Sequence, residues 1–161
     1  MMVGGTPPRL MMLVGPPGSG KSTWRDHMRP SDAIVVSTDD VVERWGAERG
    51  LNYTQAFRSI DFKVAEREAM TAFATGLAER RDIVVDRTNM TLKSRARFLA
   101  QVPRDYRKIA VVFDVPADEL RARLAQRAAA TGKTIPAAVV TDMLAKYEPP
   151  TADEFDEIVR V

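Results

Sequence analysis

Five short apolar runs recur along the chain, separated by longer segments of mixed character. They are LMMLVG (10–15), AIVVS (33–37), DIVVD (82–86), KIAVVFDV (108–115) and EIVRV (157–161). Several are continuous and β-branched, which predicts strands covered on both faces, as in a parallel sheet. Between the second and third runs, Phe57, Ile60, Val64, Met70, Phe73 and Leu77 recur at steps of mainly three and four residues. That spacing predicts one long amphipathic helix over 54–81. Shorter helices are predicted at 21–28, 41–47, 91–101, 116–130 and 136–146. The alternation predicts an α/β fold: a doubly wound, five-stranded parallel sheet with helices on both faces. No repeat, low-complexity tract or linker interrupts it. The expectation is a single domain over 10–161, a flexible extension over 1–9 and a helical lid at about 120–140.

Composition narrows the chemistry. With 161 residues, 45% of them apolar, the chain is long enough to bury a core of its own. The absence of cysteine excludes disulfides and thiolate metal sites, and a single histidine, His27, argues against a histidine-based metal site or a Ser-His-Asp triad. The apolar runs reach about six residues, far below the ~20 that span a bilayer. The leader MMVGGTPPR has neither a charged start nor a cleavage site, so no signal peptide is predicted. A cytoplasmic site of action is the resulting expectation. The net charge of +2 and pI of 9.1 permit a phosphate-rich partner without requiring one.

After the first predicted strand comes GPPGSGKS (15–22), which fits G-x-x-x-x-G-K-[ST] at every fixed position. Such glycines let the backbone turn tightly and point its N–H groups at phosphate oxygens, while the following helix offers its positive end to the same anion. Gly15, Gly18, Ser19, Gly20, Lys21, Ser22 and Thr23 would form that cradle. Lys21 would reach the β- and γ-phosphates of a nucleoside triphosphate, and the Ser22 hydroxyl would ligate Mg2+. The competing reading is a chance glycine-rich turn, which the strand before and helix after disfavour.

Ligands of open α/β sheets collect at the carboxyl ends of the strands. Asp86, closing the third run, has the placement of a Walker B acid that holds magnesium through water; the alternative is a carboxylate capping a turn. Asp39 and Asp40 follow the second run. Asp40-Val41-Val42-Glu43 has the form of a capping box, which predicts Asp40 as the helix N-cap and leaves Asp39 facing the cleft. There Asp39 could accept the proton of an attacking hydroxyl, or help to hold magnesium. Arg121, Arg123 and Arg127 crowd the helix leading into AAATGKTIP, where a lid could carry them over the phosphates. A solvated basic face paired with Asp118 and Glu119 is the other reading, and the one preferred for Arg121.

GPPGSGKSTW (15–24), the DD at 39–40, DRTN (86–89) and FDVPADELRARLAQR leading to TGKTIP (113–136) occur in one order along most of the chain. In these motifs the sequence resembles the kinase domain of bacteriophage-type polynucleotide 5′-hydroxyl kinases. The resemblance implies the P-loop kinase fold and ATP-dependent, magnesium-dependent phosphorylation of the 5′-OH ends of DNA or RNA. It implies Lys21, Ser22, Asp86, Arg127 and Arg123 in donor-side roles and Asp39 as the general base. Two departures stand out. The family's arginine three residues beyond the base is Val42 here, and no DxDGT-type motif is present, so no 3′-phosphatase activity is expected. Arg44, Arg87, Thr88 and Asn89 are the acceptor-side candidates, each with an ordinary surface or turn role as its rival. Trp45 and Tyr53 could stack on a base, whereas Trp24 reads as core and His27 as surface. A small-molecule kinase acting on a sugar, nucleoside or antibiotic would share the cradle, base and lid, and a non-kinase NTP-binding module is a third possibility. No membrane association is expected.

Overall fold

A computed structural model describes residues 5–161, so the first four residues of the expected N-terminal extension lie outside the described residues. Five parallel strands form one sheet in the order β2-β3-β1-β4-β5: β1 (Arg9–Val14), β2 (Ile34–Val36), β3 (Ile83–Val85), β4 (Arg107–Val112) and β5 (Glu157–Arg160). The central strand shows why the sequence folds this way. Leu10, Met12 and Val14 point into one apolar cluster with Phe73, Phe98 and Val112, while Met11 and Leu13 point into another with Val84, Val111 and Phe113. Successive side chains alternate between faces, so a strand apolar at every position can only be buried on both.

The helices are α1 (Lys21–Met28), α2 (Thr38–Ala47), α3 (Tyr53–Ser59), α4 (Phe62–Ala78), α5 (Leu92–Leu99), α6 (Ala117–Thr131) and α7 (Ala137–Ala145). The single long helix expected over 54–81 is two helices. Ile60 is extended (φ −72°, ψ 144°), and Asp61 caps α4 by accepting the Lys63 N–H at 3.0 Å. Ile60 packs with Val41, Val42, Ala56 and Ala65 in a third cluster between α2, α3 and α4, and this packing turns the chain. Helix α2 crosses α3 at Gly46, where a Cβ would lie 2.6 Å from the Ala56 Cβ. No described helix is long and apolar enough to cross a membrane.

The capping box expected at Asp40 is also corrected. The N-cap is Ser37, whose Oγ accepts the Asp40 N–H at 3.1 Å, and the helix begins three residues earlier than the pattern predicts. Asp40 is thus inside the first turn, and its carboxylate is free for another partner.

Candidate active site

Strand β1 ends between β3 and β4, and the loop after it returns directly into α1. Gly15 N–H donates to the Thr88 carbonyl at 3.0 Å, tying this loop to the one after β3. Gly18 and Gly20 sit at φ +81° and +102°, a region that side-chain-bearing residues rarely adopt. Gly18 has a second constraint: a Cβ there would come within 2.9 Å of Leu124 on α6. The helix expected to carry the lid therefore packs directly on the glycine loop.

A cleft of about 590 Å³ opens above this loop. Gly18, Gly20, Lys21, Ser22, Thr23, Asp39, Asp86, Arg87, Thr88, Arg123 and Arg127 all line it, as do Tyr53, Phe57 and Lys133. Lys21 is buried, and its ammonium donates to the carbonyls of Gly15 (2.9 Å) and Pro16 (2.8 Å). Burial lowers its pKa to about 8, against the opposing pull of Asp86 and Asp39. Ser19 is buried with an Oγ that has no partner among the described residues. An unsatisfied hydroxyl in such a loop is costly, and a phosphate oxygen in the cradle would satisfy it.

The Ser22 hydroxyl donates to Asp86 at 3.3 Å, which brings together the two oxygens expected to hold magnesium. Asp86 has a further partner that sequence reasoning missed. Arg25 Nη1 lies 2.8 Å from the Asp86 carboxylate and 3.0 Å from that of Asp40. Burial pushes the Asp86 carboxyl above its ordinary value even though Arg25 and Lys21 pull it down. The adjacent acids thus separate by partner. Asp40 holds Arg25 from the outer side, and Asp39 turns into the cleft.

Asp39 is fixed at both oxygens. Tyr53 donates its hydroxyl to Oδ1 at 2.6 Å, and Lys133 donates to Oδ2 at 3.3 Å. Partial burial raises the Asp39 pKa, but Lys133, the Tyr53 hydroxyl and Arg127 outweigh it and hold the carboxyl below its usual range. Asp39 is therefore ionised at neutral pH. The Tyr53 phenol is pushed far up, first by burial and then by Asp39, so it remains a hydrogen-bond donor.

The acceptor-side candidates divide. Arg87 and Thr88 line the cleft, but Arg87 is engaged by Glu66 at 2.8 Å. Arg44 lies outside the cleft lining and pairs with Glu68 on α4. Asn89 is corrected to an internal role: it is buried at φ +50°, and its amide donates to the Leu13 carbonyl at 2.7 Å. Its own carbonyl accepts from the fully buried Arg95, so it pins the β3–α5 loop to β1. Arg127 is half-buried and has no carboxylate within ion-pair distance among the described residues; Arg123 pairs with Glu119 at 2.6 Å. Trp45 carries Arg49 over its ring, while Trp24 packs edge-on against Phe113 and His27 is exposed. No sequence signal marked Lys133 beyond its place in TGKTIP, and Arg25 reads as one more surface cation on a short helix.

The model of the AAA domain family AAA_33 matches residues 10–150. Among solved structures the chain is similar to one in the Pnkp1/Rnl/Hen1 RNA repair complex. The two are 28% identical with a TM-score of 0.67, over 89% of this chain and 45% of that one. It also shares its fold with the shikimate kinase from Acinetobacter baumannii, at 17% identity and a TM-score of 0.59, over 97% and 85% of the two chains. Transcription factor bHLH140 of Arabidopsis thaliana is 28% identical over 153 residues, which cover 90% of this chain and 15% of that protein. The chain thus spans less than half the length of both the repair-complex chain and the plant protein.

Proposed function

The chain belongs to the AAA domain family and has the P-loop kinase fold, and on that premise we propose that it transfers the γ-phosphate of ATP to the 5′-OH end of DNA or RNA. One observation carries the proposal. An ionised Asp39, held at both oxygens, lines the same cleft as Lys21 and Ser22. A phosphate cradle alone would serve any NTPase; a fixed carboxylate facing it supplies what a hydroxyl acceptor needs. The nucleic-acid acceptor is supported by the run of motifs from GKSTW to TGKTIP and by likeness to a chain of an RNA repair complex.

In this reading the loop amides and Lys21 bind the donor phosphates, and leaving the Gly15 and Pro16 carbonyls is the one adjustment Lys21 makes. Ser22 and Asp86, whose side-chain oxygens lie 3.3 Å apart, would hold a magnesium ion. When bound there, the ion would supply positive charge against that of the phosphates. Asp39 accepts the proton of the acceptor hydroxyl as its oxygen attacks, and Arg127 and Arg123 on α6 stabilise the charge spreading over the phosphoryl oxygens.

A small-molecule acceptor is the second reading, favoured by the apolar wall that Phe57, Ile135 and Met143 give the cleft. Transfer from labelled ATP to 5′-OH oligonucleotides, with nucleosides and sugars in parallel, decides between them. Labelled oligonucleotide is the expected product. Transfer to a sugar or nucleoside alone would establish the second reading, and no transfer to any acceptor would overturn both.

A further inference from the structure

We propose that Lys133 couples docking of the lid to the placement of Asp39, so that closure over the cleft and completion of the base are one event. The inference rests on the proposed role of Asp39 as the proton acceptor. Lys133 is 5% exposed, yet Thr131 at the end of α6 and Thr134 on the same loop are exposed. Lysine is almost never fully buried without a partner. Its ammonium lies 3.3 Å from Asp39 Oδ2, 3.7 Å from Glu43 Oε1 and 4.1 Å above the centre of the Tyr53 ring.

The loop that carries it is seated on the first turn of α3. The Thr54 hydroxyl donates to the Gly132 carbonyl and accepts the Thr134 N–H at 3.2 Å. Gly132 has φ +72°, and a Cβ there would come 2.8 Å from the Asn52 amide. Helix α3 is thus the surface on which the lid docks, and it also supplies the Tyr53 hydroxyl that holds the other oxygen of Asp39.

Two consequences follow from the charges. Taking an ammonium out of water is unfavourable, and here Asp39, Glu43 and the Tyr53 ring offset the cost only while the loop is docked. By reciprocity, whatever neutralises Asp39 loosens the loop, and whatever lifts the loop frees Oδ2. During transfer the acceptor O–H gives its proton to Asp39, the new O–P bond forms and the bond from the γ-phosphorus to the leaving diphosphate oxygen breaks. Asp39 is then neutral, and the attraction that held Lys133 falls at the moment product must leave. The charged and titratable groups that face Asp39 are Lys133 from the lid loop, Tyr53 from α3, Arg127 from α6 and Lys21 from α1; Glu43 of α2 faces Lys133.

Hydrogen exchange of the Thr134 amide in the unliganded full chain tests the coupling. Asp39→Asn and Lys133→Met should each speed that exchange roughly tenfold, and the double variant no more than either alone. Lys133→Arg should stay close to wild type, and the amide of Val84 in β3 reports that the fold is intact. Wild-type exchange at Thr134 in Asp39→Asn, or additive effects in the double variant, would overturn the proposal; if Lys133→Met fails to fold, Asp39→Asn and Lys133→Arg decide it. Lys133→Met should also lower kcat and move the acid limb of the pH profile upward, with KM for ATP unchanged. The exchange measurement needs no acceptor. Absence of transfer to any acceptor would therefore overturn the proposed reaction, whereas intact transfer with uncoupled exchange would overturn this inference alone.

Discussion

Replacing Arg25 with methionine isolates the electrostatics beneath the cleft, because methionine keeps most of the aliphatic stem and removes only the guanidinium. In the native chain this group is 12% exposed and lies 2.8 Å from Asp86, whose side chain is 6% exposed. At that distance, with an effective dielectric of ~20, the gross attraction is ~6 kcal/mol. Desolvation of both ions offsets part of it, and removing one partner of a buried pair typically costs about 3–5 kcal/mol. The Asp40 end of the triad is 45% exposed, which places the expected loss at the low end, ~3 kcal/mol. For a domain of this size that corresponds to a fall of about 6–12 °C in Tm.

The sign of the pH dependence follows from Asp86. Burial already raises its pKa in the folded chain, with Arg25 the largest opposing influence and Asp40 adding repulsion. Without Arg25 the folded pKa rises further above its unfolded value of about 4. A group raised on folding contributes stability that is complete below the unfolded pKa and is lost as pH rises through the folded one. The variant should therefore be most destabilised at about pH 8, and the deficit should be smaller at about pH 4, near the unfolded pKa, where the raised Asp86 holds its proton in the folded variant. Urea unfolding followed by circular dichroism at both pH values measures it. A loss below ~1 kcal/mol at pH 8, or one that does not change with pH, would refute the reasoning.

Three further outcomes are expected. Asp39→Asn should lower kcat by about 10²–10⁴-fold while nucleotide affinity, measured by calorimetry, stays near wild type; a matching loss of ATP binding would show that the residue serves the donor instead. Lys21 has a pKa of about 8 in the unliganded chain, so it loses its charge above that pH, and ATP affinity should fall by up to about tenfold per pH unit beyond it. Lys21→Met should bind weakly at every pH and lack that limb. Gly46→Ala should destabilise by up to about 2 kcal/mol, because overpacking against Ala56 Cβ at 2.6 Å, which costs up to about 3 kcal/mol, outweighs the ~1 kcal/mol that alanine contributes to helix propensity; thermal unfolding checks the sign.

The strands and the phosphate loop were legible in the sequence because both are written in neighbouring residues. Burial on two faces demands an unbroken apolar run such as Leu10–Val14, and a left-handed turn demands glycine at 18 and 20. The local signals that misled were of the same kind. Asp40 fits a capping box, yet Ser37 caps the helix, since the chain leaves β2 into α2 with no intervening loop. Phe57 and Val64 continue a helical period across Ile60, but packing in the α2–α3–α4 cluster breaks it there. The charge pattern of the site belongs wholly to the tertiary structure. Arg25 meets Asp86 across 61 positions, and Lys133 meets Asp39 across 94. Neither pairing leaves a periodic trace, because it depends on where the sheet order and the α6–α7 connection bring two distant segments. Sequence alone determined which residues could bind phosphate; the fold decided which cation each carboxylate holds, and so which of two adjacent aspartates faces the cleft.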